Sequence, residues 1–205
     1  MTRQVYIVRH GNTFDPGDTV TRVGARTDLP LSTSGKAQAQ ALAEHFASTG
    51  VSFGAAYSSP LKRTRQTAET ILEAQPTILD LEFLGFLREV DYGPDENKPE
   101  AEVIARIGEE AIKAWDENAE VPPGWEVDPV KVLSAWGSFF SEMQEEPEET
   151  PILVLTSNGI ARFALQLASN VGETSHQLKL KTGAYGIVEI GHEGMVSVRA
   201  WNERP

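Results

Sequence analysis

Short apolar runs alternate along this chain with longer segments in which apolar residues recur every three or four positions. The runs, which predict strands, lie at residues 5–8, 53–58, 78–81, 152–156, 184–190 and 195–201. The longer segments, which predict helices, lie at about 33–49, 60–74, 99–120, 128–144 and 158–169. This alternation indicates an α/β fold with a mostly parallel central sheet, and the last two runs predict a terminal hairpin.

Residues that favour helix ends mark two of these helices. Ser32 and the hydroxyl residues around it predict a capped start for the first helix, and Gly50 predicts its end. Ser59 and Pro60 predict the N-cap and first turn of the second helix. His45 falls within the first helix, where we expect it to be a packing or surface residue.

Arg9 and His10 directly follow the first apolar run, so the predicted strand carries both side chains at its carboxyl end. Ligands of open α/β sheets bind beyond the carboxyl ends of the strands. A neutral imidazole is a competent nucleophile toward phosphorus, and a neighbouring guanidinium binds phosphate oxygens and disfavours protonation of the ring. This pair therefore indicates phosphoryl transfer to His10, with Arg9 holding the phosphate.

Other polar side chains in the first third of the chain are candidates for binding the same anion. Asn12 and Thr13 offer an amide and a hydroxyl donor. The loop that follows contains Arg22 and Arg26, which either reach a substrate or remain surface charges. Arg63 lies in the first turn of the second helix, where a cation is unfavourable unless an anion is bound there.

Glu89 and Asp91 lie two residues apart in a segment that is typical of a strand end or a loop. Hydrolysis of a phosphate monoester needs a proton donor for the leaving oxygen, and a buried carboxyl with a raised pKa can supply it. The pattern alone leaves open which of the two acts, and ordinary solvated acids are the alternative interpretation.

Asn158 follows the clearest buried run of the chain, at 152–156, and stands at the start of the last predicted helix. Its side chain is suited to capping that helix. A role in binding the ligand at the sheet edge is the competing interpretation, and the spacing alone does not choose between them.

Composition limits the partners and cofactors. The 205 residues carry a formal net charge of -12, and residues 91–150 hold four Lys and Arg against seventeen Asp and Glu. This acidic balance argues against nucleic acid or an anionic membrane as a partner. The length predicts one domain over 1–205. The two amphipathic helices of the acidic segment, at about 94–150, predict a helical insert that forms a lid over the sheet edge. The chain has no cysteine, which excludes thiolate metal sites.

The remaining expectations concern location and the other histidines. No apolar run approaches the roughly 20 residues that span a bilayer, and the N-terminus enters the first strand almost at once. We therefore expect a cytoplasmic protein. His176 and His192 are expected in loops, away from the chemistry.

Four segments taken together resemble the histidine phosphatase superfamily, the group that includes phosphoglycerate mutases and broad acid and metabolite phosphatases. They are Arg-His-Gly-Asn-Thr at 9–13, the Leu-Ser to Gln-Ala pattern at 31–39, the segment at 58–68 and Leu-Arg-Glu-Val-Asp-Tyr-Gly at 87–93. One such motif is weak, whereas four in family order are specific. The resemblance covers nearly the whole chain.

This resemblance implies a three-layer α/β/α sandwich and a two-step hydrolysis of phosphate monoesters on small phosphorylated metabolites. It implies phosphorylation of His10, binding of the phosphoryl oxygens by Arg9 and Arg63, a hydrogen bond from Asn12 and proton donation by Glu89. It also implies a reaction that needs no metal or other cofactor.

Two positions depart from the family pattern. The family has a second histidine where this chain has Asn158, and Pro-Asp-Glu-Asn at 94–97 replaces the usual aromatic-Glu-Gly. A neutral amide can donate a hydrogen bond to a phosphoryl oxygen but supplies no positive charge, and loss of one such donor costs about 10²–10³ in rate. The sequence therefore predicts a phosphatase with reduced rate, and the alternative is a phosphate-ester-binding protein that has lost turnover.

Overall fold

The computed structural model describes residues 2–145, 150–170, 178–191 and 194–205. In chain order, its strands are β1 (Arg3–Arg9), β2 (Ala55–Ser58), β3 (Leu81–Phe83), β4 (Ile152–Thr156), β5 (Tyr185–Ile190) and β6 (Val196–Glu203). Its α-helices are α1 (Thr33–Ser48), α2 (Lys62–Glu73), α3 (Glu100–Ile107), α4 (Glu109–Asn118), α5 (Pro129–Glu145) and α6 (Asn158–Gln166). Short 3₁₀ turns lie at Gly85–Leu87 and Gly93–Asp95.

The strands form one mixed sheet in the order β3-β2-β4-β1-β5-β6. The first four of these strands run parallel, and β5 and β6 pair antiparallel at one end. The predicted α/β class and the terminal hairpin are confirmed. The parallel part places the carboxyl ends of β1, β2 and β4 at one edge, where the ligand sites of such sheets lie.

Side chains of β1 alternate between two cores because successive residues of a strand point to opposite faces. Tyr6 and Val8 pack with α1 and α2, for example against Phe46. Val5 and Ile7 belong to the other core, which collects buried side chains from the insert helices and α6. Helices on both faces of the sheet confirm the sandwich that the family resemblance implies.

The predicted helix at 99–120 is two helices, which corrects that prediction. Gly108 has φ +84° and stands between α3 and α4, so the chain turns there although the apolar pattern continues. A left-handed conformation of this kind is natural for glycine. The strand predicted at 78–81 is also displaced, since β3 begins at Leu81 and Ile78 is 99% exposed.

The start of α2 also differs from the prediction. The N-cap position is Leu61, and the backbone N–H of Lys62 donates to Asp28 Oδ1 at 2.7 Å. Ser59 contacts the hydroxyl of Thr64 instead of capping the helix. By contrast, α1 begins as predicted, with Ser32 Oγ accepting from the N–H of Gly35 at 3.2 Å.

The insert helices differ in where they lie. The buried side chains of α5 join the core, and Trp136 Nε1 donates to the backbone oxygen of Ile160 at 3.1 Å. Helices α3 and α4 also bury Val103 and Trp115 in that core, but they border the carboxyl edge of the sheet as well, where Glu100 and Asp116 line a pocket. The insert therefore serves partly as core and partly as a pocket wall.

Two smaller expectations concern histidines and membranes. His45 Nε2 lies 2.9 Å from the hydroxyl of Tyr185 and packs on an aromatic cluster, as expected of a packing residue. His176 and His192 lie outside the described residues. Within the described parts of the chain, no helix has the length and apolar character needed to cross a membrane.

Candidate active site

A pocket of about 530 Å³ lies at the carboxyl edge of the parallel strands. β1 and β4 are neighbours in register there, with Arg9 beside Thr156, so the residues that follow the two strands meet. Seven of the predicted site residues line the pocket, and they are Arg9, His10, Asn12, Thr13, Arg22, Glu89 and Asn158.

The imidazole of His10 is buried and held by one donor and one acceptor. Its Nδ1 lies 2.7 Å from the backbone oxygen of Gly11, and Arg63 Nε donates to its Nε2 at 3.1 Å. A carbonyl oxygen only accepts and a guanidinium only donates, so Nδ1 carries the proton and Nε2 carries a lone pair. Burial, followed by the charges of Arg63 and Arg9, holds the pKa of His10 well below its usual value. The ring is therefore neutral, with its lone pair on Nε2.

This lowered pKa predicts a loss of stability in mild acid. The unfolded chain takes up a proton at His10 below pH 6.5, whereas the folded protein does not. The free energy of unfolding therefore falls as pH decreases, by at most about 1.4 kcal/mol per pH unit from this group. Urea denaturation should show that, between pH 7.5 and pH 5.5, the free energy of unfolding of the wild type falls by about 1 kcal/mol more than that of His10→Gln. Equal losses in the two proteins would contradict a neutral buried His10.

Arg63 is fully buried beside the Nε2 edge of His10, and it is not among the residues that line the pocket. Besides its contact with His10, it donates to the backbone oxygens of Thr27 at 2.9 Å and Gly24 at 3.2 Å. These bonds fix the plane of the guanidinium against the ring. Arg63 thus orients the imidazole and contributes positive charge beside it.

Glu96 holds the loop that anchors Arg63. Its Oε1 accepts from the N–H groups of Gly24 and Arg26 and from the hydroxyl of Thr27, at distances of 3.1, 3.0 and 2.8 Å. Its Oε2 accepts from the N–H of Tyr92 at 3.1 Å. Sequence reasoning missed this role, although Glu96 lies in the segment at 94–97 that departs from the family pattern.

Arg9 reaches the pocket from the end of β1. Its Nη1 donates to the backbone oxygen of Leu180 at 2.8 Å, which orients the guanidinium. Its Nε is buried and makes no hydrogen bond to any described residue. Arg9 lines the pocket and keeps N–H donors that no described residue occupies, which suits an acceptor such as a phosphoryl oxygen.

Of the two candidate proton donors, Glu89 lines the pocket and Asp91 does not. Glu89 Oε1 accepts from the N–H of Val90 at 2.9 Å, and Oε2 accepts from the N–H of Gly159 at 3.3 Å. Gly159 has to be small, because a Cβ there would lie 2.2 Å from Oε1. Asp91 instead pairs with Arg26 at 2.9 Å, outside the pocket lining.

Asn158 lies in the first turn of α6, beside Glu89. Its Oδ1 accepts from the N–H of Leu180 at 2.8 Å, which leaves its Nδ2 as a donor at the pocket. The N-cap position belongs to Ser157, which makes no side-chain capping bond. The side chain of Asn158 therefore joins α6 to the 178–182 segment and does not cap its own helix.

Asn12 and Thr182 form a polar pair on the pocket wall. Asn12 Oδ1 accepts from the hydroxyl of Thr182 at 2.5 Å, and its Nδ2 donates to Ser34 Oγ at 3.2 Å. One Nδ2 hydrogen is thus engaged within the protein, and the other is the donor that remains for a ligand. Thr13 lies next to this pair in the pocket lining.

The structure separates the two loop arginines. Arg22 lines the pocket, where it pairs with Glu100 at 2.5 Å and lies over the rings of Tyr92 and Trp125. The structure does not bring Arg26 into the pocket lining, since this side chain is 58% exposed and bound to Asp91 and Gly93.

Three charged residues near the pocket were not singled out from the sequence. Lys179 and Asp116 line the pocket and form an ion pair at 3.7 Å. Arg162 is fully buried, packs 4.1 Å from the ring of Trp115 and has Asp116 at 3.6 Å. The signal for Arg162 was one cation within the apolar segment of α6, because a buried charge needs a specific partner.

A metal site needs several His, Asp or Glu side chains close together in the described parts of the chain. Within those parts of the chain, no group of three or more His, Asp or Glu side chains is arranged to hold a metal ion. Arg9 and Asn158, which line the pocket with His10, offer donors that are suited to an oxyanion.

Sheet and pocket together define an α/β protein. Arg9, at the end of β1, and His10, directly after it, share a pocket with the carboxylate of Glu89, which accepts a backbone hydrogen bond from the start of α6. A family model of the histidine phosphatase superfamily (branch 1) matches residues 5–204. The chain belongs to this superfamily, as the four sequence motifs predicted.

Individual relatives agree with this assignment. The 2,3-bisphosphoglycerate-dependent phosphoglycerate mutase 2 of Gloeobacter violaceus is 31% identical over 156 residues, which are 75% of this chain and 69% of the relative. The structure of mycobacterial glucosyl-3-phosphoglycerate phosphatase matches with a TM-score of 0.80 and 20% identity, covering 99% of this chain and 100% of that one. The alpha-ribazole phosphatase of Shigella flexneri matches with a TM-score of 0.73 and 20% identity, covering 98% and 96%. These structures share the fold.

Proposed function

We propose that this protein hydrolyses small phosphate monoesters through a phosphohistidine at His10. The observation that carries the proposal is the state of the His10 ring, which is neutral, buried and oriented with its Nε2 lone pair beside Arg63. Arg9 and Asn158 add donors around the same pocket, and Glu89 faces it. The similar structures include phosphatases for two phosphorylated metabolites, and this supports the same reaction class.

In the first step, Nε2 of His10 attacks phosphorus as the bond from phosphorus to the ester oxygen breaks. The leaving oxygen takes a proton from Glu89 in its acid form. The arriving phosphoryl group offers Arg63 Nε a new acceptor, which frees the Nε2 lone pair for attack. Arg9 and the amide of Asn158 bind the other phosphoryl oxygens.

In the second step, water attacks the phosphorus of the phosphohistidine, and the carboxylate of Glu89 accepts a proton from that water. The phosphorus–nitrogen bond breaks as the new phosphorus–oxygen bond forms. Inorganic phosphate leaves, His10 returns to its neutral form, and Glu89 regains the proton that it gave in the first step.

A phosphate-ester-binding protein without turnover is the second candidate. The observation that favours it is the neutral amide of Asn158, whose Oδ1 is already bound to the backbone of Leu180. The position of Glu89 argues against it, because binding alone does not use a proton donor. Rapid quenching separates the two functions, since only a phosphatase forms an acid-labile phosphoenzyme and releases phosphate with repeated turnover.

The proton-donor role of Glu89 gives a specific expectation. Glu89→Gln should lower kcat for an alkyl phosphate by about 10²–10⁴-fold. With p-nitrophenyl phosphate, whose leaving group needs no proton, the variant should lose much less of the rate of His10 phosphorylation. Because hydrolysis of the phosphohistidine still lacks Glu89, phosphoenzyme should accumulate with that substrate. Asp91→Asn is the matched control, because Asp91 lies outside the pocket lining. A large loss in Asp91→Asn with none in Glu89→Gln would reverse the assignment.

The proposal also covers the partner and the domain organisation. We propose a small phosphorylated metabolite as substrate, not nucleic acid, because the acidic insert contributes carboxylates to the pocket wall.

We propose that residues 1–205 form one domain with the insert at about 94–150. The shared core supports this, since Val5 and Val154 of the sheet belong to the same cluster as Trp115 and Trp136 of the insert.

A further inference from the structure

The outer part of the pocket has an apolar wall built from two separate segments. Phe14, Val20 and Val23 come from the loop after β1, and Ile112 and Trp115 come from α4. Val20 is 62% exposed, which is unusual for a large apolar side chain in this structure. An apolar group that covers Val20 would remove its surface from water, and such burial is favourable.

The charged side chains of the outer pocket are already paired. Arg22 has its guanidinium 2.5 Å from Glu100, and the ring centroids of Tyr92 and Trp125 lie 5.2 and 4.9 Å from its Cζ. Only 14% of the Arg22 side chain is exposed. Arg22 is therefore held between aromatic rings and a carboxylate. A ligand anion would have to compete with Glu100 for its Nη2, and its Nε, which makes no hydrogen bond to a described residue, is buried.

The second pair, Lys179 with Asp116, is tied to the interior by Arg162. Asp116 lies 3.7 Å from Lys179 and 3.6 Å from Arg162, which is fully buried. A buried guanidinium needs a counter-ion, so Asp116 stays at the wall even when Lys179 moves. A ligand with a second negative group would then face the carboxylates of Glu100 and Asp116.

We propose that the preferred substrates are monoesters whose alcohol is uncharged and has an apolar face, such as an aryl-substituted or branched alkyl group, with Val20 as a specificity-determining residue. This inference rests on the proposed phosphatase function and narrows its substrate class. The pocket volume of about 530 Å³ accommodates a phosphoryl group together with a ring-sized alcohol. The alcohol packs on Val20, Ile112 and Phe14, while the phosphoryl group contacts Arg9 and His10.

Three esters of primary alcohols test the substrate class with chemically similar leaving groups: benzyl phosphate, glycerol 3-phosphate and 3-phosphoglycerate. We expect kcat/KM for benzyl phosphate to exceed that for glycerol 3-phosphate by about tenfold, from the burial of a ring. The value for 3-phosphoglycerate, which carries a carboxylate, should be the lowest. A preference for 3-phosphoglycerate or glycerol 3-phosphate would overturn the inference and leave the proposed function intact.

Val20→Ser tests the apolar wall, with Val130→Ser as the matched control. Val130 is 75% exposed on α5 and is not among the residues that line the pocket. We expect Val20→Ser to raise KM for benzyl phosphate about three- to fivefold, to leave kcat/KM for glycerol 3-phosphate within about twofold, and Val130→Ser to change neither. Equal losses for both esters in Val20→Ser would contradict a specificity role.

Absence of turnover with all three esters would contradict the proposed function rather than the inference. Calorimetry with two non-hydrolysable phosphonates then decides the inference. Benzylphosphonate should bind more tightly than phosphonoacetate, which carries a second anionic group. The reverse order would overturn the proposed substrate class.

Discussion

Replacing His10 with alanine is expected to lower the rate of phosphate release by about 10⁴–10⁶-fold and to abolish the acid-labile phosphoenzyme. The structure offers no other imidazole at the pocket among the described residues, since His45 contacts the hydroxyl of Tyr185 and does not line the pocket. Rapid quenching with ³²P-labelled substrate measures both effects. His45→Gln is the control that should keep full activity.

A loss of activity in His10→Ala has to be separated from a loss of structure. The substitution removes the acceptor of Arg63 Nε, but the bonds of Arg63 to Thr27 and Gly24 remain. The variant should therefore stay folded and still bind inorganic phosphate, which calorimetry can show. Acid-labile phosphoenzyme in His10→Ala would contradict His10 as the nucleophile.

Local patterns in the sequence were sufficient to predict β1 and α1. The apolar run at 5–8 predicts a strand buried on both faces, and β1 is buried between two cores. The Ser32 cap and Gly50 end of α1 depend on residues close in sequence, which is why they were predictable. The order of strands and helices was likewise enough to predict the α/β class.

The errors in the elements have two causes, the backbone conformation of one glycine and the pairing of one strand. The apolar stripe of 99–120 continues through Gly108, and nothing in that periodicity shows that its φ is +84°. The boundary of β3 depends on tertiary pairing, which the sequence does not display, since Leu81 pairs with Ala56 of β2 while Ile78 faces water.

Contacts between distant parts of the chain also limited the prediction of the site. The motifs predicted candidate residues for the chemistry, but Arg22 and Arg26 were equivalent as loop cations until their partners were known. Asp91 and Glu100 lie 65 and 78 residues further along the chain from the arginines they bind. Contacts between distant segments therefore decide which cation reaches the pocket.

Asn158→His is expected to raise kcat by about 10–10²-fold, because an imidazolium adds positive charge beside the phosphoryl group whereas an amide only donates a hydrogen bond. An imidazole at this place lies in the first turn of α6, between Glu89 and the 178–182 segment. The ratio of variant to wild-type kcat should increase as pH falls through about 6.5, where the introduced ring becomes charged. Stopped-flow assays from pH 5.5 to 8 measure this ratio.

The control for an added histidine is Asn118→His, at the exposed end of α4, which should leave the ratio at one. Asn158→Ala should lower kcat below that of the wild type, because it removes the amide donor and the bond to Leu180. An unchanged kcat in both Asn158 variants would mean that this side chain does not contact the phosphoryl group. A gain in Asn158→His that is independent of pH would show that ring geometry, and not charge, is what the amide lacks.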